Sequence, residues 1–171
     1  MPSISKEDSR SVLRLLPPQE HDIADIAALN NRFTSEGLTL PRSEVFVWQH
    51  LADYRVLRDG EGRVIGCVCI DEYSPSLAEL VSLAVDPAYQ GRGYGKLLVA
   101  AAVDLARRRG YQELFAVSFA DELFLKCGFQ RVRIENYPEK KARYDRVSAD
   151  EWTVGQKHCF AVRLRSAEVA A

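Results

Sequence analysis

Gly91-Arg92-Gly93-Tyr94-Gly95-Lys96 sets three glycines and two cations within six residues. Glycines let the backbone bend so that several N–H groups face one point. A helix starting there adds about half a positive charge at its N-terminus. Together they form an anion cradle suited to a phosphate or pyrophosphate. Arg92 and Lys96 can add charge-assisted bonds to phosphate oxygens. The spacing is not that of a P-loop, because Leu97 stands where the magnesium-binding hydroxyl belongs. Nor is Gly91-x-Gly93-x-Gly95 a dinucleotide fingerprint. The bland alternative is a glycine-rich turn with no ligand.

A second chemical feature is Glu79, a lone carboxylate in the apolar run Ala78-Glu79-Leu80-Val81-Ser82-Leu83-Ala84-Val85. Burial there is costly unless the carboxylate lines a wet cleft, and desolvation would raise its pKa toward that of a useful base. Pairing with an arginine at a strand end is the structural alternative. The third is a basic cluster, Lys140, Lys141, Arg143 and Arg146, which read alone is a solvated face. Cys67 and Cys69 alternate on one strand and share a face. No His/Cys spacing completes a metal site, so buried packing is expected. Adjacency alone does not make His158-Cys159 a catalytic pair.

These residues need elements to position them. Val12–Leu16 reads as a strand and His21–Phe33 as an amphipathic helix. Ser43 caps a short helix to Leu51. Tyr54–Arg58 and Arg63–Ile70 flank Asp59-Gly60-Glu61-Gly62, a hairpin signal. Ala78–Val85 is a strand stopped by Asp86-Pro87. A helix follows the glycine loop from about Lys96 to Arg109 and ends at Gly110. Leu114–Ser118, Phe129–Ile134 and Cys159–Leu164 are strands, and Asp121–Cys127 is a short helix. The polar stretch Glu135–His158 is a 24-residue connection, a length that often carries function. The order is that of an α/β or α+β sheet flanked by helices. Residues 1–10 and 167–171 are expected to be flexible tails around a single domain at 11–166.

The 171 residues suffice for one sizeable core. With 23 Lys+Arg against 24 Asp+Glu, the net charge of −1 argues against nucleic-acid binding driven by net charge. No apolar run is long enough for a membrane helix, and the first residues lack a secretory h-region. Four scattered cysteines fit a reducing cytoplasm.

Leu83-Ala84-Val85-Asp86-Pro87-Ala88-Tyr89-Gln90-Gly91-Arg92-Gly93-Tyr94-Gly95-Lys96-Leu97-Leu98 resembles the acetyl-CoA signature of the GCN5-related N-acetyltransferase (GNAT) family. Gln90, Gly93 and Gly95 fill its Q/R-x-x-G-x-G/A motif. Phe124-Leu125-Lys126-Cys127-Gly128-Phe129 is similar to the family's F-Y-x-x-x-G-F segment. The element order matches over residues 12–165. The resemblance implies a mixed, mostly antiparallel sheet with splayed central strands.

It further implies that backbone groups of Leu83, Ala84 and Val85 pair with the pantetheine arm of acetyl-CoA. The amides from Gly91 to Lys96 would hold the pyrophosphate. Acetyl would pass directly to a primary amine, and an N–H near Leu83 would stabilise the oxyanion. Glu79 would be the base. Many members carry a tyrosine acid where this chain has Phe124; Tyr137, Tyr144 and Cys127 are other candidate donors.

A narrower resemblance is to the acetyltransferase domain of N-acetylglutamate synthases. It rests on Ile65-Gly66-Cys67, Ala78-Glu79-Leu80 and the basic segment after Gly128-Phe129. This implies a small amine substrate, the α-amine of glutamate or a related amino acid. Its carboxylates would need partners among Lys126, Lys140, Lys141, Arg143 and Arg163. A peptide or protein substrate and a CoA-binding sensor are the other readings. Family members often dimerise through C-terminal strands, which leaves a homodimer open for this chain.

Overall fold

A computed structural model describes residues 15–145 and 157–164. Seven strands form one sheet in the order β1-β2-β3-β4-β5-β7-β6. They are β1 (Leu15–Leu16), β2 (Tyr54–Arg58), β3 (Val64–Ser74), β4 (Leu77–Val85), β5 (Glu113–Ser118), β6 (Gln130–Val132) and β7 (His158–Arg163). Every neighbouring pair is antiparallel except β4 and β5. This is the mixed, mostly antiparallel sheet expected. The helices are α1 (Ile23–Asn31), α2 (Glu44–Gln49), α3 (Tyr94–Arg108), α4 (Asp121–Lys126) and α5 (Pro138–Asp145).

The sheet departs from the sequence-based boundaries at informative places. β3 runs on to Ser74 and β4 begins at Leu77, so the two form one long hairpin across Pro75-Ser76. Cross-strand pairing carries polar Asp71 and Glu72 into the ladder against Glu79 and Ala78. The α-helix expected over 21–33 is confined to Ile23–Asn31, with a 3-10 turn at Glu20–Asp22 before it. α3 begins two residues early, at Tyr94, because Gly93 occupies its N-cap with φ +83°. The stretch after β6 contains α5, where the sequence predicts only a polar connection. Val12–Arg14, both predicted tails, Arg146, Trp152 and Gly155 lie outside the described residues.

α3 and α4 pack on one face of the sheet, around Leu98, Val99, Leu105, Phe124 and Phe160. The opposite face carries two separate clusters. Ile26, Val47, Tyr54, Cys67 and Cys69 gather under α1 and α2. Phe115, Tyr137, Cys159 and Ala161 gather in the other half. Leu77 packs with the second of these clusters and Val81 belongs to the first. Side chains two apart on a strand share a face. Glu79 therefore sits between the two apolar clusters, at the seam.

Two backbone features shape that seam. β4 and β5 pair only through Leu77↔Glu113, Ala78↔Leu114 and Glu79↔Phe115. Beyond that rung the parallel ladder ends, which is the expected splay. Further along β4, Cys67 pairs with Ala84 but Cys69 with Val81, so β4 carries one extra residue. This β-bulge places Ser82 at φ +55°. Tyr54 Oη donates to Ser82 Oγ at 3.2 Å and steadies the turn from inside the core.

Candidate active site

From the Glu79 rung the parting strands open into a cleft of about 490 Å³. Its walls include Leu80–Val85 of β4, Ala116–Ser118 of β5, and the glycine loop. Leu38–Leu40 and Arg42, ahead of α2, close it from the other side. The β4 backbone facing this cleft has no partner in the β5 ladder past Glu79. Sheet-edge N–H and C=O groups of that kind are ready to pair with an extended ligand.

The glycine loop stands at the far end of β4. Asp86 caps the 3-10 turn at Pro87–Tyr89 by accepting from the Ala88 amide at 2.9 Å. Gln90 Nε2 donates to the Val85 carbonyl at 3.1 Å and ties the loop to the strand. Gly91 and Gly93 both hold positive φ, with nothing within 4 Å of where a Cβ would sit. The constraint is therefore backbone conformation and the open approach to the amides. Arg92 lies over the Tyr89 ring at 5.1 Å, and Arg92 and Lys96 are both exposed beside the α3 N-terminus. Tyr94 and Gly95 also line the cleft.

Glu79 is buried but satisfied. Lys140 Nζ lies 2.6 Å from its Oε1, and Tyr73 Oη donates to its Oε2 at 2.8 Å. Lys140 comes from α5 and is itself buried. Arg143, one turn along α5, donates to Tyr73 Oη at 3.0 Å and to Glu139 at 3.2 Å. Burial and the Glu79 carboxylate hold the Tyr73 hydroxyl well above its ordinary range. Thus the base candidate meets a lysine, and an arginine acts on it through a tyrosine.

The other sequence candidates are spread out. Lys126 on α4 pairs with Glu122 at 3.4 Å and does not line the cleft. Arg163 is exposed at the end of β7, opposite Glu113. Lys141 is exposed on α5 and also lies off the cleft wall. Phe124 is buried between Phe129 and Phe160, with its ring stacked on Phe160 at 5.4 Å. Tyr137 stacks on Phe115 at 4.0 Å, away from the cleft lining. Cys127 ends α4, where burial pushes its thiol up against a smaller opposing pull from Lys96. The Tyr144 side chain lies outside the described residues. Cys67 and Cys69 pack in one cluster, with the Cys67 thiol pushed up to about 12 by burial. His158 Nδ1 and Asp121 Oδ2 are 2.7 Å apart, while Cys159 is buried in another cluster.

Sequence reading missed Arg42 and Lys157. The Arg42 guanidinium lies over the Phe46 ring at 4.3 Å and lines the cleft. Its Nε is buried with no hydrogen-bond partner among the described residues. Lys157, just before β7, lines the cleft with its Nζ 5.5 Å from the Phe119 ring centroid. Neither residue carries a local signal: one follows a proline, the other sits in a polar stretch. Only the fold brings them to Glu79's cleft. No described helix is long and apolar enough to cross a membrane.

The geometry agrees with comparison to known proteins. Residues 22–129 match the model of the acetyltransferase (GNAT) family. An uncharacterized N-acetyltransferase of Chlorobaculum tepidum is 33% identical over 119 residues, covering 70% of this chain and 76% of its own. An amino-acid acetyltransferase of Neisseria meningitidis is 32% identical over 143 residues, covering 82% of this chain but 32% of its own. The N-acetylglutamate synthase of Neisseria gonorrhoeae, solved with coenzyme A and N-acetyl-glutamate, superposes with a TM-score of 0.75 at 29% identity. That match covers 90% of this chain and 35% of the synthase. The chain thus spans about a third of the length of these two Neisseria relatives. Because the family match takes in β4, the glycine loop and α3 as one continuous stretch, and more than half of the sequence, the chain belongs to the GNAT acetyltransferase family.

Proposed function

We propose that this protein transfers acetyl from acetyl-CoA to the α-amine of glutamate or a closely related small amino acid. The observation that carries the amine class is the charge of the cleft. Among the described residues, its charge-bearing lining side chains are Arg42, Lys140 and Lys157 against the carboxylate of Glu79. Such a site attracts an acidic small molecule and disfavours a cationic polyamine. A peptide acetyltransferase would be better served by an open, acidic groove. The likeness to an amino-acid acetyltransferase and to an N-acetylglutamate synthase supports the same choice.

The cosubstrate fits the architecture. The amides of Gly91–Lys96 at the α3 N-terminus suit a pyrophosphate. The unpaired β4 edge from Leu83 to Val85 suits the amide-bearing pantetheine arm. The acetyl group would then lie toward Glu79, beside the Ser82–Leu83 bulge. There a backbone N–H turned out of the ladder can stabilise the oxyanion. Glu79 takes the proton that the ammonium must lose before its nitrogen can attack. Arg42, with its unpartnered Nε, is placed to receive a substrate carboxylate.

The test is free-thiol release from acetyl-CoA with glutamate, aspartate, other amino acids, a polyamine and a peptide. Preference for glutamate or a close analogue is the expected outcome. Preference for the peptide would move the function to protein acetylation. Binding of acetyl-CoA without turnover on any amine would favour a CoA sensor.

A further inference from the structure

Acetyl transfer as read above ends with a thiolate leaving group, and Phe124 offers no proton to it. We propose that Lys157 is the general acid, giving its ammonium proton to the sulfur as the carbon–sulfur bond breaks. The inference rests on the acetyl-transfer reading and on where Lys157 lies.

β4 runs about 20 Å from Glu79 to the glycine loop, at ~3.3 Å per residue. A pyrophosphate on that loop and an arm along β4 bring the thioester to the Glu79 end of the cleft. Tyr89 and Tyr94 line the cleft but belong to the loop end. Thr39 already donates to the Asn30 carbonyl at 2.6 Å. Lys140 is held by Glu79. Lys157 lines the cleft within range of both charges of the buried pair, Lys140 opposing its own charge and Glu79 favouring it. It also adjoins Ser118 through the His158↔Ser118 pair, on the β5 wall. No described side chain forms an ion pair with it, and its Nζ rests near the Phe119 ring. Burial first, then Lys140, hold the Lys157 ammonium below its ordinary range. An ammonium held low in this way gives up its proton more readily than a free lysine does.

The protons balance. Glu79 accepts one proton from the substrate ammonium and releases it to water. The amine nitrogen bonds to the acetyl carbon. On collapse the carbon–sulfur bond breaks, the sulfur takes the Lys157 proton, and Glu79 accepts the second nitrogen proton. Water then returns that proton to Lys157. The products are the amide, CoA thiol and one proton in solution.

Lys157→Met keeps the apolar stem, and Lys157→Arg keeps the charge without a proton transferable near neutral pH. Both are expected to lose about 10²-fold in kcat with acetyl-CoA binding retained. Wild-type turnover in either variant would overturn the proposal; in Lys157→Arg it would mean that charge alone suffices. A second readout needs no amine substrate. The thiolate absorbance of enzyme-bound CoA is titrated against pH, with the desulfo-CoA complex subtracted. The bound thiol should ionise at lower pH in the wild type than in Lys157→Met, and identical titrations would overturn the proposal. If the wild type acetylated no amine, the acetyl-transfer reading would fail by itself, and the titration would still judge Lys157. Lys157→Arg covers the case in which Lys157→Met disturbs the fold.

Discussion

Lys140 Nζ lies 2.6 Å from Glu79 Oε1, with both side chains at least 95% buried. A buried pair contributes little net stability, but removing one partner leaves the other charged and unpaired. Lys140→Met should therefore destabilise the fold by about 3 kcal/mol in denaturant unfolding. In a Glu79→Gln background the same change should cost clearly less. Equal costs in the two backgrounds would mean that the pair is not coupled in solution.

Tyr73 is a positioning residue for that carboxylate. Its hydroxyl bonds Glu79 and receives Arg143, while its ring packs edge-on to Phe115 at 5.2 Å. Tyr73→Phe keeps the ring and removes the bond. A lost bond to a charged group, about 1.5 kcal/mol, corresponds to roughly a tenfold fall in kcat. The KM for acetyl-CoA should stay unchanged, since the glycine loop is remote. A fall in acetyl-CoA affinity with normal kcat would contradict this role.

Gly93 caps α3 at φ +83° in open space. Gly93→Ala meets no clash, so its cost is the left-handed backbone, about 1 kcal/mol. Because that turn aims the loop amides, acetyl-CoA binding by titration calorimetry should weaken by roughly five- to tenfold. Unaltered affinity would show that the loop does not need this conformation to bind.

Asp22 anchors the hairpin side of the sheet. Burial pushes its carboxyl up, but the Arg58 guanidinium and the Gln19 amide outweigh that and hold it below the ordinary range. Arg58 Nη1 donates to Asp22 Oδ1 at 2.8 Å. A depressed carboxyl stabilises fully above its unfolded value, about 3.9, and loses that contribution as pH falls through the folded value. Asp22→Asn should cost about 3 kcal/mol near pH 7. The gap to the wild type should narrow below about pH 4. A gap constant from pH 7 to pH 3 would contradict the assignment.

The glycine loop and strand β4 were legible because their signals are local: punctuating glycines, Asp86-Pro87, and an apolar run. Glu79 stood out there as a misplaced charge. Its partner did not. Pro138–Asp145 is strongly polar, so nothing in its composition marks a helix that buries a lysine. Lys140 is buried because α5 lies over the seam between two apolar clusters, a tertiary fact. Lys140, Lys141 and Arg143 look equivalent in sequence, yet helical spacing turns Lys140 onto Glu79 and leaves Lys141 exposed. Arg42 and Lys157 reach the cleft from segments 115 positions apart. The β4 bulge was invisible because Ser82 fits the apolar alternation of a regular strand.

Wild type and Glu79→Gln are to be compared in thiol release from acetyl-CoA with glutamate, beside a binding titration of acetyl-CoA. Turnover is expected in the wild type, with a fall of about 10²-fold or more in Glu79→Gln and closely similar acetyl-CoA affinity in both. Equal turnover would remove Glu79 from the mechanism. No acetyl-CoA binding by the wild type would contradict the assignment of the glycine loop and of the cleft beside it.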